Sequence, residues 1–202
     1  MPSYLTLAAP LRHELDKIKG SRFIADLAPV ADAAAAQAFV AQITAEFPDA
    51  SHHCYAWRLS SRDDGFRYSD AGEPSGSAGR PMLDQLAGRD LVRVVAVVTR
   101  YFGGTKLGKG GLMRAYGGAV GAALQLAEII EVIETRKIEL RFDYALTAAV
   151  ERVLSHFGLR PERAHYGAAV ELEIAVAVDR VAAFLAEINE SSAGRVQILS
   201  AS

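Results

Sequence analysis

The spacing of apolar residues changes several times along the chain, and each change predicts an element. Residues 21–30 form a short apolar run of strand type. In DAAAAQAFVAQITAEFP, Ala36, Phe39, Val40, Ile43 and Phe47 recur at helical spacing, with Asp32 placed to cap the helix and Pro48 to end it. SHHCYAWRLS is strand-like, and SRDDGFRYSD predicts a hairpin around Asp64-Gly65. The next stretch, SDAGEPSGSAGRP, is rich in Gly, Ser and Pro and is predicted as loop, long enough to carry function. Residues 91–99 have the composition of a buried strand, β-branched on both faces apart from Arg93. Beyond the turn GGTKLGKGG, the segment LMRAYGGAVGAALQLAEI predicts a helix whose small residues allow close packing on a sheet.

From Arg136 the texture changes, which places a domain boundary near residue 135 and predicts domains at 1–134 and 135–202. KIELRFDY alternates as a strand, and LTAAVERVLSHFG is an amphipathic helix with Gly158 just past its end. RPERAHY and AAVELEIAVAV are strand candidates, DRVAAFLAEINE is a helix with Asp179 as its expected cap, and RVQILS is a last strand. The order βαββαβ is the ferredoxin-like pattern.

Composition narrows the function classes. Half of the 202 residues are hydrophobic, and the net charge is −2. Such a chain does not coat nucleic acid by bulk charge, so any contact with RNA must use a local basic patch. Cys54 is the single cysteine, so neither an internal disulfide nor a disulfide-linked partner is expected. Arg12, His13, Glu14 and Asp16 interrupt the start of the chain before any signal-peptide core, and no segment approaches the ~20 apolar residues that span a bilayer. The expected location is cytoplasmic, without membrane attachment.

In GGTKLGKGG, Gly103, Gly108 and Lys109 fit the G-x-x-x-x-G-K pattern of a phosphate-binding P-loop, but Gly110 occupies the position of the Mg²⁺-holding hydroxyl. The best candidate for a metal-holding acid, Asp179, falls in the other predicted domain, where its capping role accounts for it. Mg²⁺-nucleotide chemistry is therefore not expected, and neither metal nor cofactor is predicted. The charge bias survives this argument. Between residues 91 and 127 there is no acid, whereas Arg93, Arg100, Lys106, Lys109 and Arg114 are basic. Lys106, Lys109 and Arg114 lie on or beside a strand-to-helix turn whose N–H groups and helix dipole already favour anions. Two readings follow: a solvated loop with scattered cations, or a phosphate-contact surface of Arg100, Lys106, Lys109 and Arg114 for RNA or another polyanion.

The blocks SDAGEPSGSAGRPML and VVAVVTRYFGGTKLGKGGLMRAYGGAV, with GSRFIA and ASHHC upstream, closely resemble the signature of the YigZ/IMPACT family across most of residues 18–125. The resemblance implies an N-terminal α/β domain of the ribosomal-protein-S5-domain-2-like fold and a small C-terminal ferredoxin-like domain, both similar in fold to C-terminal domains of elongation factor G. It also implies a link to translation, because eukaryotic members regulate translation by binding the activator of a stress kinase. This chain departs from the family's usual Asp-Asp-Gly-Glu-Pro by placing Ala71 at the second acid, which leaves Asp70 and Glu73. Ser77 stands where Thr is usual, and keeps the hydroxyl.

His52, His53, Cys54, Asp70, Glu73, Ser75, Ser77, Arg80 and Arg100 are the polar residues in or near these blocks. Neighbours on a strand face opposite ways, so at most one of the two histidines can face a site; His52 would share its face with Cys54, and Tyr55 and Trp57 would lie on the opposite face, packed in a core or, alternatively, stacking on a base. His52, Asp70, Glu73 and Arg80 are the catalytic candidates, with His52 as base. In the structural alternative, Glu73 accepts backbone N–H bonds and Arg80 pairs with Asp70. The leading expectation is a translation-linked binding protein that contacts RNA, the ribosome or a translation factor. The competing one is a small-molecule hydrolase with His52 and the EPSGSAGRP loop lining its pocket.

Overall fold

A computed structural model describes residues 3–60 and 65–201. The chain divides into two compact units, one spanning Tyr4–Val132 and the other beginning at Ile133. Up to that point it runs through β1 (Ser3–Leu7), β2 (Leu11–Glu14), β3 (Arg22–Pro29), α1 (Ala33–Glu46), β4 (His52–Arg58), β5 (Phe66–Ser69), α2 (Gly79–Ala87), β6 (Val94–Tyr101), α3 (Lys109–Leu126) and β7 (Ile129–Ile133). Strands β1 and β7 form a small sheet of their own, and the main sheet has the order β2-β3-β6-β4-β5 with every neighbouring pair antiparallel.

Period-two alternation divides each central strand between two cores. Phe23, Cys54, Ala96 and Val98 face α2 and α3, where Met82, Leu86 and Tyr116 complete the packing. Trp57, Val95 and Val97 face α1 and its Ile43. Strand β6 is buried on both sides, which is why it is apolar in consecutive positions. Tyr55 and Trp57 stack at 5.2 Å on the α1 side, away from His52 and Cys54. Asp32 caps α1 as expected, accepting from the Ala35 N–H at 2.8 Å.

Several boundaries differ from the expectation. Strand β6 starts at Val94 rather than at residue 91, because Asp90 and Arg93 both take left-handed backbone angles (φ 53° and 52°) that an extended strand cannot include. The segment predicted as loop through Pro81 turns helical at Gly79, where α2 begins. Strands β4 and β5 pair as the predicted hairpin, from Tyr55↔Ser69 to Arg58↔Phe66. Asp64, at its turn, lies outside the described residues.

The second unit contains β8 (Thr135–Phe142), a 3-10 turn (Tyr144–Leu146), α4 (Thr147–Phe157), β9 (Arg163–Tyr166), β10 (Val170–Ala177), α5 (Val181–Ser192) and β11 (Gln197–Ala201). Its sheet order β11-β8-β10-β9, antiparallel throughout, is the ferredoxin-like arrangement. Ile138, Leu140, Ile174 and Val176 point into a core with Val150 and Phe184 of the helices. Gly158 ends α4 in the left-handed conformation (φ 66°) that its residue type suits. Asp179 is not the N-cap residue of α5. It sits in a 3-10 turn (Val178–Arg180), which puts Arg180 at the N-cap position without a side-chain cap. Among the described residues no helix is long and apolar enough to cross a membrane.

Candidate functional site

The glycine-rich turn joins the end of β6 to the start of α3. It lies against the bend before β3: a Cβ on Gly103 would fall 1.9 Å from the Gly20 carbonyl carbon, and the Gly103 N–H donates to Ser21 Oγ at 3.1 Å. Gly108, at the N-cap of α3, has φ 73° and supplies no side-chain cap.

Arg100 belongs to the face of β6 that meets α2 and α3, so its side chain runs inward and is only 5% exposed. Its Nη1 donates to Glu73 Oε1 at 2.6 Å and its Nη2 to Ser21 Oγ at 3.2 Å. The guanidinium lies 5.4 Å from the ring centre of Phe23 and 5.5 Å from that of Phe102. Its Nε has no partner among the described residues. Glu73 is as buried as Arg100, and its Oε1 also accepts from the Tyr116 hydroxyl at 2.6 Å. Burial first, and then neighbouring Cys54, push the Tyr116 phenol up, so it stays a donor. Two donors thus hold one carboxylate in place.

His52 stands opposite Arg100 in the β4–β6 register. Its Nδ1 lies 2.9 Å from the Ala71 carbonyl oxygen. A carbonyl can only accept, so Nδ1 carries a proton, and in the neutral ring Nε2 keeps its lone pair. That Nε2 is 3.9 Å from Glu73 Oε1. His53 faces the α1 side, as alternation requires.

Asp70 does scaffold work. Its carboxylate accepts from the N–H groups of Gly76 (2.8 Å), Ala78 (2.9 Å) and Gly79 (2.9 Å), and so caps α2, whose own N-cap residue is Ala78. Burial works against the Asp70 charge, but these three bonds, helped by the charge of Lys109, hold its carboxyl below the usual range. The Cys54 thiol donates to the Asp70 carbonyl at 3.0 Å. Burial pushes that thiol up to about 12, which removes the thiolate needed for nucleophilic chemistry.

A cavity of about 350 Å³ opens at this point. The buried side chains of Glu73 and Arg100 line it together with His52, while Pro74, Phe102, Leu107 and Leu112 supply apolar walls. Lys106 and Lys109 are exposed lining residues and mark its rim. Of the residues expected at a site, the fold gathers His52, Glu73, Arg100, Lys106 and Lys109. Asp70 is spent on α2. Arg80 is exposed and donates to Asp84 at 2.8 Å, one helical turn away, so the expected pair with Asp70 does not form. Glu73 takes side-chain donors instead of the backbone donors expected for it, and Asp70 takes the backbone ones. Arg114 is exposed on α3 and is not part of the cavity lining. Ser21, Tyr116 and Phe102 complete the site without having been singled out in the sequence. Each looks like an ordinary core or loop residue until distant segments meet.

The match to the Impact N-terminal domain covers residues 19–124, and that to a domain of unknown function (DUF1949) covers residues 140–195. The IMPACT family member YigZ of Escherichia coli is 40% identical over 98% of both chains. The family member YvyE of Bacillus subtilis is 37% identical over 97% of this chain and 90% of its own. A crystal structure of a protein described as hypothetical superposes with a TM-score of 0.71 at 40% identity, covering 99% of this chain and 98% of that one.

Proposed function

Because this chain belongs to the IMPACT family, we propose that it is a translation-linked binding protein that engages RNA phosphates, on the ribosome or in a complex with a translation factor, through the rim of the cavity at the start of α3. The observation that carries this reading is the placement of Lys106 and Lys109. Both are exposed, both line the cavity, and they flank a helix N-terminus that has no side-chain cap. First-turn N–H groups and the helix dipole add to the attraction of two ammonium groups for phosphate. Arg100 contributes differently from the lysines. It is buried and paired with Glu73, so its charge fixes the floor beneath the rim.

The hydrolase alternative draws support from His52, whose Nε2 lone pair sits beside the cavity. Against it, the other three members of that candidate set are committed: Asp70 to the α2 cap, Arg80 to Asp84, and Glu73 to Arg100 and Tyr116. Binding therefore remains the better-supported function. Its test is co-sedimentation with ribosomes across a salt series, comparing the wild-type chain with Lys106→Ala/Lys109→Ala. Binding should weaken with salt, and the double variant should lower the log–log salt slope by about 2, roughly one per lost phosphate contact. Binding indifferent to both salt and substitution sinks the reading.

A further inference from the structure

We propose that the cavity takes one phosphate monoester of mononucleotide size, its phosphate held by Lys106, Lys109 and the first turn of α3, and its base against Phe102 and Leu107. The proposal deepens the phosphate-contact reading above and rests on it for the role of the two lysines.

Charge selects the monoester. Among the lining residues, Glu73 is the only acid, set against the basic residues Arg100, Lys106 and Lys109. Glu73 is already paired with Arg100, so neither lysine has a counter-charge within the lining, although Lys109 also feels the charge of Asp70 outside it. Two such positive charges match a terminal phosphate, which carries about −1.5 to −2 at neutral pH, better than the single charge of an internal phosphodiester. The buried guanidinium cannot swing out to follow a mobile ligand. With its Nη atoms on Glu73 and Ser21, and Nε unpartnered among the described residues, it holds the Glu73 carboxylate in place beneath the site.

The glycines point the same way. Gly104 and Gly108 have φ of 86° and 73°, so their backbone explains them. Gly110 differs, because it sits in the first turn of α3 with no left-handed angle. A Cβ there would meet nothing nearer than the Arg114 guanidinium, at 3.7 Å. Neither packing nor conformation calls for glycine, and glycine weakens a helix relative to alanine. A phosphate lying against the first-turn N–H groups would need the space that a Cβ fills.

Size and shape complete the case. About 350 Å³ lies near the small end of ligand pockets, enough for one nucleotide. Phe102 presents a half-exposed ring at the wall, a surface on which a base can stack. A free mononucleotide and the 5′-terminal nucleotide of an RNA offer the same chemistry.

The experiment uses the full chain and isothermal titration with adenosine 5′-monophosphate, with adenosine as the phosphate-free control. A short RNA carrying either a 5′-phosphate or a 5′-hydroxyl is measured alongside by fluorescence anisotropy. Adenosine monophosphate should bind and adenosine should not. Lys109→Ala should weaken binding about tenfold or more, the scale of one lost charge-assisted hydrogen bond. Gly110→Ala, which keeps every charge, should also weaken it, and Arg67→Ala, beside Trp57 on the α1 side of the sheet and outside the lining, should leave it unchanged. Preference for the 5′-phosphorylated RNA assigns the RNA end as the source, and its absence, with adenosine monophosphate still bound, assigns the free nucleotide. Adenosine binding as tightly as its monophosphate, or indifference to both Lys109→Ala and Gly110→Ala, overturns the proposal. If ribosome binding depends on Lys106 and Lys109 while adenosine monophosphate does not bind, the monoester site falls and the surface reading stands. The converse pair of results removes the ribosome and leaves the site.

Discussion

Replacing Glu73 by alanine should be among the most damaging single changes in the N-terminal unit. The substitution leaves the Arg100 guanidinium, 5% exposed, without its counter-charge, and removes the acceptor of the fully buried Tyr116 hydroxyl. Orphaning one member of a buried ion pair costs about 3–5 kcal/mol, because the remaining charge stays desolvated. An unsatisfied buried hydroxyl adds about 1 kcal/mol or more. A loss of about 4–6 kcal/mol consumes much of the ~5–15 kcal/mol that holds a domain together. Urea unfolding of the full chain, followed by the fluorescence of its single tryptophan, Trp57, reports on this unit directly, since that residue is buried in β4. At a typical m-value of ~2 kcal/mol/M, the midpoint should drop by about 2–3 M. Glu73→Gln, which keeps an acceptor for both donors, should lose less. The decisive arm is Glu73→Leu/Arg100→Met. Removing both charges together should recover most of the stability, because apolar replacement of a buried pair is often neutral. If Glu73→Ala costs under about 1 kcal/mol, or if the double variant is no more stable than the single one, the buried-pair account is refuted.

Asp70→Asn should destabilise by about 1.5–3 kcal/mol, since an amide presents its NH₂ group where the carboxylate accepts a backbone donor. Because the folded-state pKa of Asp70 is depressed, its contribution is complete above the ordinary carboxylate range and is lost as pH falls through the folded value; urea midpoints measured on acidification should fall in the wild type and flatten in the variant. Gly118→Ala, on an exposed helical position where a Cβ meets nothing within 4 Å, should raise stability by about 0.5–1 kcal/mol, whereas Gly103→Ala should cost more than about 2 kcal/mol by driving a Cβ into the Gly20 backbone. Thermal melts should show opposite shifts for that pair. Ala71 has φ 43°, a conformation that asparagine tolerates better, so Ala71→Asn should stabilise by about 1 kcal/mol in the same melts while preserving the His52 bond to its carbonyl.

What was legible in the sequence was local. Asp32 and Pro48 bracket α1 within a few residues of where it runs, and Gly158 ends α4, because caps and breakers act over a single turn. Strand alternation separated His52 from His53 and turned Tyr55 and Trp57 toward α1 for the same reason. Helix α2 was hidden because its cap is not local: Asp70 reaches it from eight and nine residues upstream, across a segment that looks like pure loop. Asp179 misled in the opposite sense. A good capping residue stood at the right place, but a 3-10 turn moved the helix start past it. The site itself depends on contacts that no short window contains. Arg100 and Glu73 are 27 residues apart, Tyr116 and Glu73 are 43 apart, and Arg100 and Ser21 are 79 apart.

The two acids left in the SDAGEPSGSAGRP signature therefore carry separate burdens. Asp70 spends its charge on backbone donors, fixing the path of residues 76–79 and the start of α2. Glu73 spends its charge on Arg100 and Tyr116, tying that loop to β6 and α3. Between them, Ala71 stands at the family's second acid, yet the group there that contacts His52 is a backbone carbonyl, which any residue supplies. Losing the carboxylate at this position leaves the His52 contact in place. Ala71 does not line the cavity, whose lining holds Glu73 as its one acid beside Arg100, Lys106 and Lys109. Because Glu73 is already paired with Arg100, an anion at the rim meets no free carboxylate in the lining that competes with it for the lysines.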